Sequence, residues 1–228
     1  MFRDKNKIFS ESTYVTYTRC LFAFAETVAI AQLLQKGETL EVISDRVLKE
    51  DLFQIRSLTS RKSSLRVILK RLNLVSDEYI KFIATENIDL QRFTIFWAIL
   101  REHRLLREFI REILIEKLYC LDRTVSDHDI KEFFTSKSEQ HQQIRSWSKS
   151  TYQKTSSHIV STLVRVGLLY PMQYRKQYGK RYEISPTPIP QALRTQLIAD
   201  GWENYLILMM DFHQFTASAL NTASIGSV

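Results

Sequence analysis

Residues 147–169, WSKSTYQKTSSHIVSTLVRVGLL, indicate how the C-terminal part of the chain folds. Its first half is polar and rich in hydroxyl groups, its second half is apolar, and Gly167 stands near its end. At about 100° per residue, one side of a helix collects the apolar residues Tyr152, Ile159, Leu163 and Val166. A glycine readily adopts the left-handed conformation that ends helices. The stretch therefore predicts a helix with one buried side and one polar side.

The polar side of this predicted helix combines hydroxyl and basic side chains and has no carboxylate. Its members are Ser150, Lys154, Ser157, His158, Ser161 and Arg165. No acid occurs between Glu139 and Glu183, an interval with eight basic residues: Arg145, Lys149, Lys154, Arg165, Arg175, Lys176, Lys180 and Arg181. Ordinary solvated helices mix both signs, because opposite charges four residues apart stabilise them. A side without acids suits contact with phosphates, since Lys and Arg displace their counterions.

Residues 167–185 predict a β-hairpin directly after this helix. Tyr170 and Tyr182 favour strands, Gly179 permits the turn, and four basic residues lie near the tip: Arg175, Lys176, Lys180 and Arg181. Another helix is expected at Ser126–Phe134, which opens with a capping-box pattern, and Thr135–Ser146 is expected to be a connector. Two helices followed by a basic hairpin have the order of a winged helix-turn-helix unit.

A similar signature occurs in the N-terminal part. LKRLNLV (69–75) aligns without gaps with LVRVGLL (163–169), and Ser63 matches Ser157 at the same offset. We expect a long helix at Ser12–Lys36 that ends at Gly37, a helix capped by Thr39, and a third helix that Asn73 ends in the left-handed conformation. The pattern predicts a second helix-turn-helix-like unit, with basic residues Arg56, Arg61, Lys62, Arg66, Lys70 and Arg71.

The middle of the chain predicts a long buried helix, Phe93–Cys120, because it lacks Gly and Pro and carries apolar residues on more than one side. Ser76–Thr85 fits either a short helix or a strand, and a last helix is expected around Gln191–Phe215. The expected fold class is mainly α. We expect an N-terminal unit (1–85), a central helical bridge (86–140), and a winged-helix unit with a terminal helix (141–228).

Composition supports a mainly helical protein that can bury a core, because 44% of its 228 residues are hydrophobic and it has only 5 Gly and 4 Pro. Its net charge of +7 lies at the two ends, with +4 in residues 1–85, −2 in 86–140 and +5 in 141–228. The most apolar stretch, Cys20–Leu34, contains Glu26 and is shorter than the roughly 20 residues that span a bilayer. No signal peptide precedes it. We expect a cytoplasmic protein without membrane contact.

No constellation of residues indicates catalysis. Gly-rich phosphate loops, GxSxG and HExxH are absent, and two distant cysteines, Cys20 and Cys120, do not make a zinc site. His128 between two aspartates is more typical of a charged helix start than of a metal site. The glutamates at 108, 112 and 116 alternate with Arg and Lys, which favours a salt-bridged helix side. We therefore expect no enzyme activity, no cofactor and no metal.

Four stretches resemble the BrxA family of bacteriophage-exclusion (BREX) defence systems. They are FAFAETVAIAQLL (22–34), DLFQIRSLTSRKSSLRVILKRL (51–72), FWAILREHRLLREFIREILIEK (96–117) and IRSWSKSTYQKTSSHIVSTLVRVGLL (144–169). They span most of the chain, although none is a catalytic motif. The resemblance implies a helical protein that contains a winged helix, has positive surfaces, binds DNA and works beside other defence components. It also implies a likeness to the RNA-binding factor NusB.

The resulting hypothesis is sequence-independent binding of double-stranded DNA, mainly through phosphates. The expected DNA-binding residues are Arg61, Lys62, Arg66, Lys70, Lys149, Ser150, Gln153, Lys154, Ser157, Arg175, Lys176, Lys180 and Arg181. Alternatives stay open. Ser and Thr at helix starts are often only caps, and a winged helix can dock proteins. The chain could therefore assemble with other BREX proteins, or bind RNA as NusB does. The oligomeric state is open, with a monomer favoured.

Overall fold

Helices make up most of the structure, a computed structural model that describes residues 13–16, 22–85, 87–174 and 179–211. The helices are α1 (Phe24–Gln35), α2 (Leu40–Leu48), α3 (Leu58–Leu72), α4 (Asp77–Ala84), α5 (Ile88–Glu102), α6 (Arg104–Phe109), α7 (Glu116–Tyr119), α8 (Asp127–Gln140), α9 (Gln142–Arg145), α10 (Lys149–Val166), α11 (Gln191–Ala199) and α12 (Asn204–Leu208). A π-helical segment (Ile110–Ile115) joins α6 to α7. The strands are β1 (Thr124–Ser126), β2 (Leu169–Pro171) and β3 (Arg181–Ile184), which form a small antiparallel sheet.

The predicted mainly α fold class is confirmed. Among the described residues, none of the helices combines the length and the apolar composition that a membrane span requires. The cytoplasmic location and the boundaries 1–85, 86–140 and 141–228 stay predictions.

The first helix starts later than the sequence pattern predicts. The predicted helix Ser12–Lys36 is wrong at its N-terminal end, because residues 13–16 are not helical and α1 begins only at Phe24. The Gln143 side chain binds both backbone groups of Tyr14, accepting from its N–H at 3.2 Å and donating to its carbonyl at 2.8 Å. β-Branched and aromatic residues, which are frequent in 13–17, also disfavour helix. The predicted stop is present, since Gly37 has a φ of +77°.

Side-chain caps begin the next two helices. Thr39 accepts a hydrogen bond from Val42 N–H at the start of α2, as predicted, and Ser57 does the same for Ser60 at the start of α3. The predicted left-handed stop at Asn73 is wrong, because its φ is −66°. Its N–H donates to the Leu69 carbonyl and continues the helical turn, so no left-handed residue is needed there. The ambiguous segment Ser76–Thr85 forms α4.

Helix α5 is the centre of the core. Every residue from Leu90 to Leu100 except Arg92 is buried. Among the described residues, the helices α1, α3, α4, α6, α10 and α11 pack against it. The Trp97 ring lies 4.0 Å from the Tyr79 ring and 6.5 Å from the Trp202 ring, measured between centroids. The sequence prediction of burial on several sides is confirmed for this helix.

The predicted continuous helix Phe93–Cys120 is wrong because the chain breaks at His103, where φ is −117° and ψ is 96°. The Arg107 guanidinium donates through Nη1 to the carbonyls of Leu100 at 2.5 Å and Arg101 at 3.3 Å. These bonds satisfy carbonyls that a continuing helix would have paired with backbone N–H groups. The chain can therefore change direction inside the core.

An internal ion-pair network joins α6 to α8. Lys137 Nζ lies 2.9 Å from Glu108 Oε2 and 2.7 Å from Glu112 Oε1, and Arg104 Nε lies 2.7 Å from Glu108 Oε1. Burial opposes the ionisation of Glu108, but hydrogen bonds from Arg104 and Lys137 outweigh it and hold the pKa of Glu108 below its usual range. The predicted connector Thr135–Ser146 is wrong, because α8 extends to Gln140 to bring Lys137 into this network and α9 follows.

The predicted last helix, Gln191–Phe215, is also interrupted. Gly201 has a φ of +70° between α11 and α12, and Trp202 N–H donates a hydrogen bond to the Leu197 carbonyl. Asp200, beside this turn, accepts a 2.7 Å hydrogen bond from the Tyr79 hydroxyl of α4. Residues beyond 211 lie outside the described ranges. The turn after α11 is therefore tied to the N-terminal half of the chain.

Replacing Lys137 by Ala is expected to lower the free energy of unfolding by about 3 kcal/mol, because it leaves Glu108 buried with one of its cations removed. Lys131→Ala is the matched control, since Lys131 is exposed on the same helix, and it is expected to change stability by less than about 0.5 kcal/mol. Urea denaturation of both variants measures the difference. Equal midpoints would contradict a structural role for Lys137.

Candidate nucleic-acid interface

The C-terminal part of the chain has the order β1, α8, α9, α10, β2, β3, with β3 between the two other strands. Val125 faces Tyr182 across one strand pair, and Leu169 faces Ile184 across the other. The predicted pairing of β2 with β3 is present, whereas β1 was not predicted. Arg175 and Lys176, two of the expected DNA contacts, lie outside the described residues. The β2–β3 segment, residues 169–184, is called the basic hairpin below.

The ends of α10 follow from its sequence. Ser148 Oγ accepts a 3.1 Å hydrogen bond from Thr151 N–H and begins the helix, while Gly167, with a φ of +88°, ends it. Ile159, Leu163 and Val166 are buried, as the apolar period predicts. Tyr152 is half-buried, and its hydroxyl donates to the Lys131 carbonyl of α8. The predicted orientation of this helix is therefore confirmed.

The opposite side of α10 is an exposed polar surface, called the acid-free face below. Its exposed residues are Lys149, Ser150, Gln153, Lys154, Ser157, Ser161 and Arg165. Within the described ranges, none of its cations forms an ion pair with a carboxylate. Burial lowers the pKa of the half-buried His158 below 6.5, and the charges of Arg165 and Lys154 lower it further. The face therefore carries uncompensated positive charge.

A groove of about 300 Å³ separates α10 from the base of the basic hairpin. Ser157 and Ser161 line it from the helix, Lys180 and Tyr182 line it from the hairpin, and Asp127 lines it from the start of α8. The structure thus brings together Ser157 and Lys180, which the sequence predicted as site residues 23 positions apart. Arg181 is exposed on β3. Arg145, by contrast, donates to the carbonyls of Ser138 and Glu139 and caps α8.

The predicted N-terminal patch is only partly exposed. Lys62, Arg66 and Lys70 follow one another at one-turn spacing on the surface of α3. Lys70 pairs with Glu102 at 2.9 Å. Arg61 turns inward, since its guanidinium donates to the carbonyls of Leu48 and Ile55 and contacts Asp51. Arg61 therefore ties the α2–α3 connection together, while DNA contact by this patch stays a prediction.

Sequence reasoning missed two groups that line the groove. It treated Asp127 only as part of a charged helix start and Tyr182 only as a strand former. The signal that could have found them is the strand β1, because its pairing with β3 brings Asp127 beside the hairpin. The predicted salt-bridged side of the central helix is present, because Glu108 pairs with Arg104 and Glu112 pairs with Arg111. Glu108 is buried and also pairs with Lys137 of α8. No group of three or more His, Cys, Asp or Glu suited to a metal ion occurs among the described residues.

Fold and site together define a basic, mainly helical protein with an acid-free helix face beside a β-hairpin. The BrxA family model matches residues 15–200, so the chain belongs to the BrxA family. Membership of this family supports the assignment of the chain as a component of a BREX phage-defence system.

Two relatives illustrate the range of similarity. A protein of Bacillus cereus (strain H3081.97), described as BREX protein BrxA, is 26% identical over 158 residues, which are 69% of this chain and 76% of the relative. A crystal structure of an uncharacterized protein from Magnetospirillum magneticum has a TM-score of 0.64 at 19% identity, and the match covers 81% of this chain and 90% of that chain. The second similarity concerns the fold alone.

Replacing Arg165 by Ala is expected to raise the pKa of His158, because one neighbouring positive charge disappears while the burial remains. A titration of the His158 ring protons by NMR measures the shift, with Lys62→Ala on α3 as the control.

The same change has a predictable effect on stability. The folded chain binds the His158 proton less tightly than the unfolded chain does. Protonation of His158 therefore lowers the free energy of unfolding as the pH falls below 6.5. Arg165→Ala should lessen this loss. An unchanged His158 pKa would contradict the proposed clustering of positive charge.

Proposed function

We propose that this protein is a non-catalytic, DNA-binding component of a BREX defence system. The acid-free face of α10 is the observation that carries the proposal. Its cations, Lys149, Lys154 and Arg165, are exposed without an ion-pair partner among the described carboxylates. Exposed cations on one helix repel each other, so an anionic ligand that replaces their counterions offsets that repulsion. Double-stranded DNA is the partner we propose.

The order of elements supports a winged-helix interpretation of the C-terminal part. α8 and α10 correspond to the two helices of a helix-turn-helix, α10 to the recognition helix, and the basic hairpin to the wing. In this arrangement the start of α10, with Ser150 and Gln153, approaches a groove of the duplex. Small serine side chains permit a close approach, and Lys180 and Arg181 lie at the flank.

The contacts are proposed to be largely independent of DNA sequence. Lysine and serine dominate the acid-free face, whereas bidentate base recognition uses Arg, Asn and Gln. Gln153 is the one amide among the expected DNA contacts. Lys62, Arg66 and Lys70 form a second proposed phosphate-binding patch on α3. A labelled random-sequence duplex is therefore the appropriate first ligand.

The double variant Lys149→Ala, Lys154→Ala is expected to bind every duplex several-fold more weakly. If each lysine neutralises one phosphate, the slope of log affinity against log salt falls by about 1.8 in magnitude. Fluorescence anisotropy across a salt series measures both quantities.

The charge-matched control is Lys49→Ala, Lys81→Ala, because both lysines are exposed and ion-paired in the N-terminal half. An equal loss in the control would attribute the effect to net charge alone. Stronger competition by single-stranded RNA than by duplex DNA would instead favour a NusB-like RNA-binding function. Binding to another BREX protein that survives nuclease treatment, without DNA affinity, would favour an assembly function.

The wing contributes independently to this proposal. Replacing Lys176, Lys180 and Arg181 together by Ala is expected to weaken binding to all sequences and to flatten the salt dependence, because phosphate contacts carry no sequence information. The same anisotropy series measures this variant. Unchanged affinity would remove the basic hairpin from the DNA site while leaving the acid-free face to be judged by its own variant.

A further inference from the structure

The start of α8 is joined to the basic hairpin by a reciprocal pair of hydrogen bonds. Asp127 N–H donates to the Lys180 carbonyl at 3.1 Å, and Lys180 N–H donates to Asp127 Oδ2 at 2.9 Å. This pair lies one residue beyond the last paired position of β1 and β3, Ser126 with Arg181. The Asp127 carboxylate thus takes the place of a strand carbonyl at the point where the chain turns into α8.

The neighbouring glycine packs against the same carboxylate. Gly179 has a φ of +67°, and a Cβ added there would lie 3.1 Å from Asp127 Oδ2. A side chain at this position would be strained in its backbone conformation and would push against the carboxylate. Lys180 N–H therefore binds Asp127 Oδ2, and the lack of a side chain at Gly179 leaves room for that oxygen.

The local structure of α8 does not require this carboxylate. Ser126 and Asp129 already form the capping box, in which Ser126 Oγ accepts from Asp129 N–H and Asp129 Oδ2 accepts from Ser126 N–H. Asp127 is exposed and lines the groove between α10 and the hairpin, where a negative charge repels phosphate. Its presence there is accounted for by the bonds to the hairpin rather than by its charge.

We infer that Asp127 is a positioning residue of the DNA-binding surface. Its carboxylate holds the return strand of the basic hairpin so that Lys180 borders the same groove as Ser157 and Ser161. This inference rests on the proposed function. The Asp127 side chain then has two opposite effects on DNA binding. Its hydrogen-bond acceptor supports binding, whereas its negative charge opposes it.

Two substitutions at this position separate the effects. Asp127→Asn keeps a side-chain oxygen that accepts from Lys180 N–H and removes the charge, so it should bind duplex DNA as tightly as the unaltered protein or several-fold more tightly. Asp127→Ala removes the acceptor as well, so it should bind several-fold more weakly despite the more favourable net charge. Glu132→Ala, an exposed acid on the same helix, is the electrostatic control and should not weaken binding.

Salt-dependent anisotropy with a random-sequence duplex measures all four proteins, and thermal unfolding verifies that each is folded. Should Asp127→Ala fail to fold, Gly179→Ala provides the second perturbation, with several-fold weaker binding expected. If Asp127→Ala or its substitute binds at least as tightly as the unaltered protein, the positioning role is overturned. Absence of binding by the unaltered protein would instead overturn the proposed function itself.

Discussion

The burial of Leu90–Leu100 in α5, with the exception of Arg92, fixes the arrangement of the helices around it. A helical segment without a polar side must be covered by other elements, and among the described residues α1, α3, α4, α6, α10 and α11 pack against it. Among them are α3 and α10, the two helices that carry the basic surfaces. The positions of both surfaces therefore follow from one packing requirement in the core. The Arg107 guanidinium makes this arrangement possible, because it satisfies the carbonyls at the end of α5 and lets the chain turn into α6.

The distribution of ion pairs explains why positive charge remains exposed on α10. Three carboxylates of the central third form ion pairs with cations of neighbouring elements. Glu108 binds Arg104 and Lys137, Glu102 binds Lys70, and Asp129 binds Lys117. The sequence between Glu139 and Glu183 contains no acid, so α10 has no carboxylate of its own. Stabilising pairs and the acid-free face thus occupy different parts of the molecule, and the face is not needed to hold the fold together.

The sequence predicted well those elements whose signals are local. The period of apolar residues predicted the orientation of α10. Helix starts were predicted correctly at Thr39 and at the capping box of Ser126 and Asp129, and helix ends at Gly37 and Gly167. Predictions failed where distant contacts override local preference. Tyr14 lies outside a helix, where Gln143 and Glu108 bind it. The central helix breaks at His103, where Arg107 caps α5. Neither interaction leaves a pattern in the neighbouring residues.

The candidate site was predictable to a similar degree. The exposed members of the acid-free face followed from helical spacing, whereas the inward turn of Arg61 depends on carbonyls of Leu48 and Ile55. The three-residue strand β1 was too short to show an alternating pattern, so the contact of Asp127 with the basic hairpin could not be foreseen. The charge pattern and the helical spacing of the sequence therefore predicted the acid-free face, but they did not predict the hydrogen bonds of Arg61 and Asp127.

Lysine acetylation followed by mass spectrometry, with and without duplex DNA, tests whether the duplex binds to the acid-free face of α10. It locates the bound duplex on the unaltered protein without relying on substitutions. We expect DNA to protect Lys149, Lys154 and Lys180 from modification, while Lys49 and Lys81 react equally in both samples. Protection that is absent from α10, or spread evenly over all exposed lysines, would contradict a DNA site on the acid-free face.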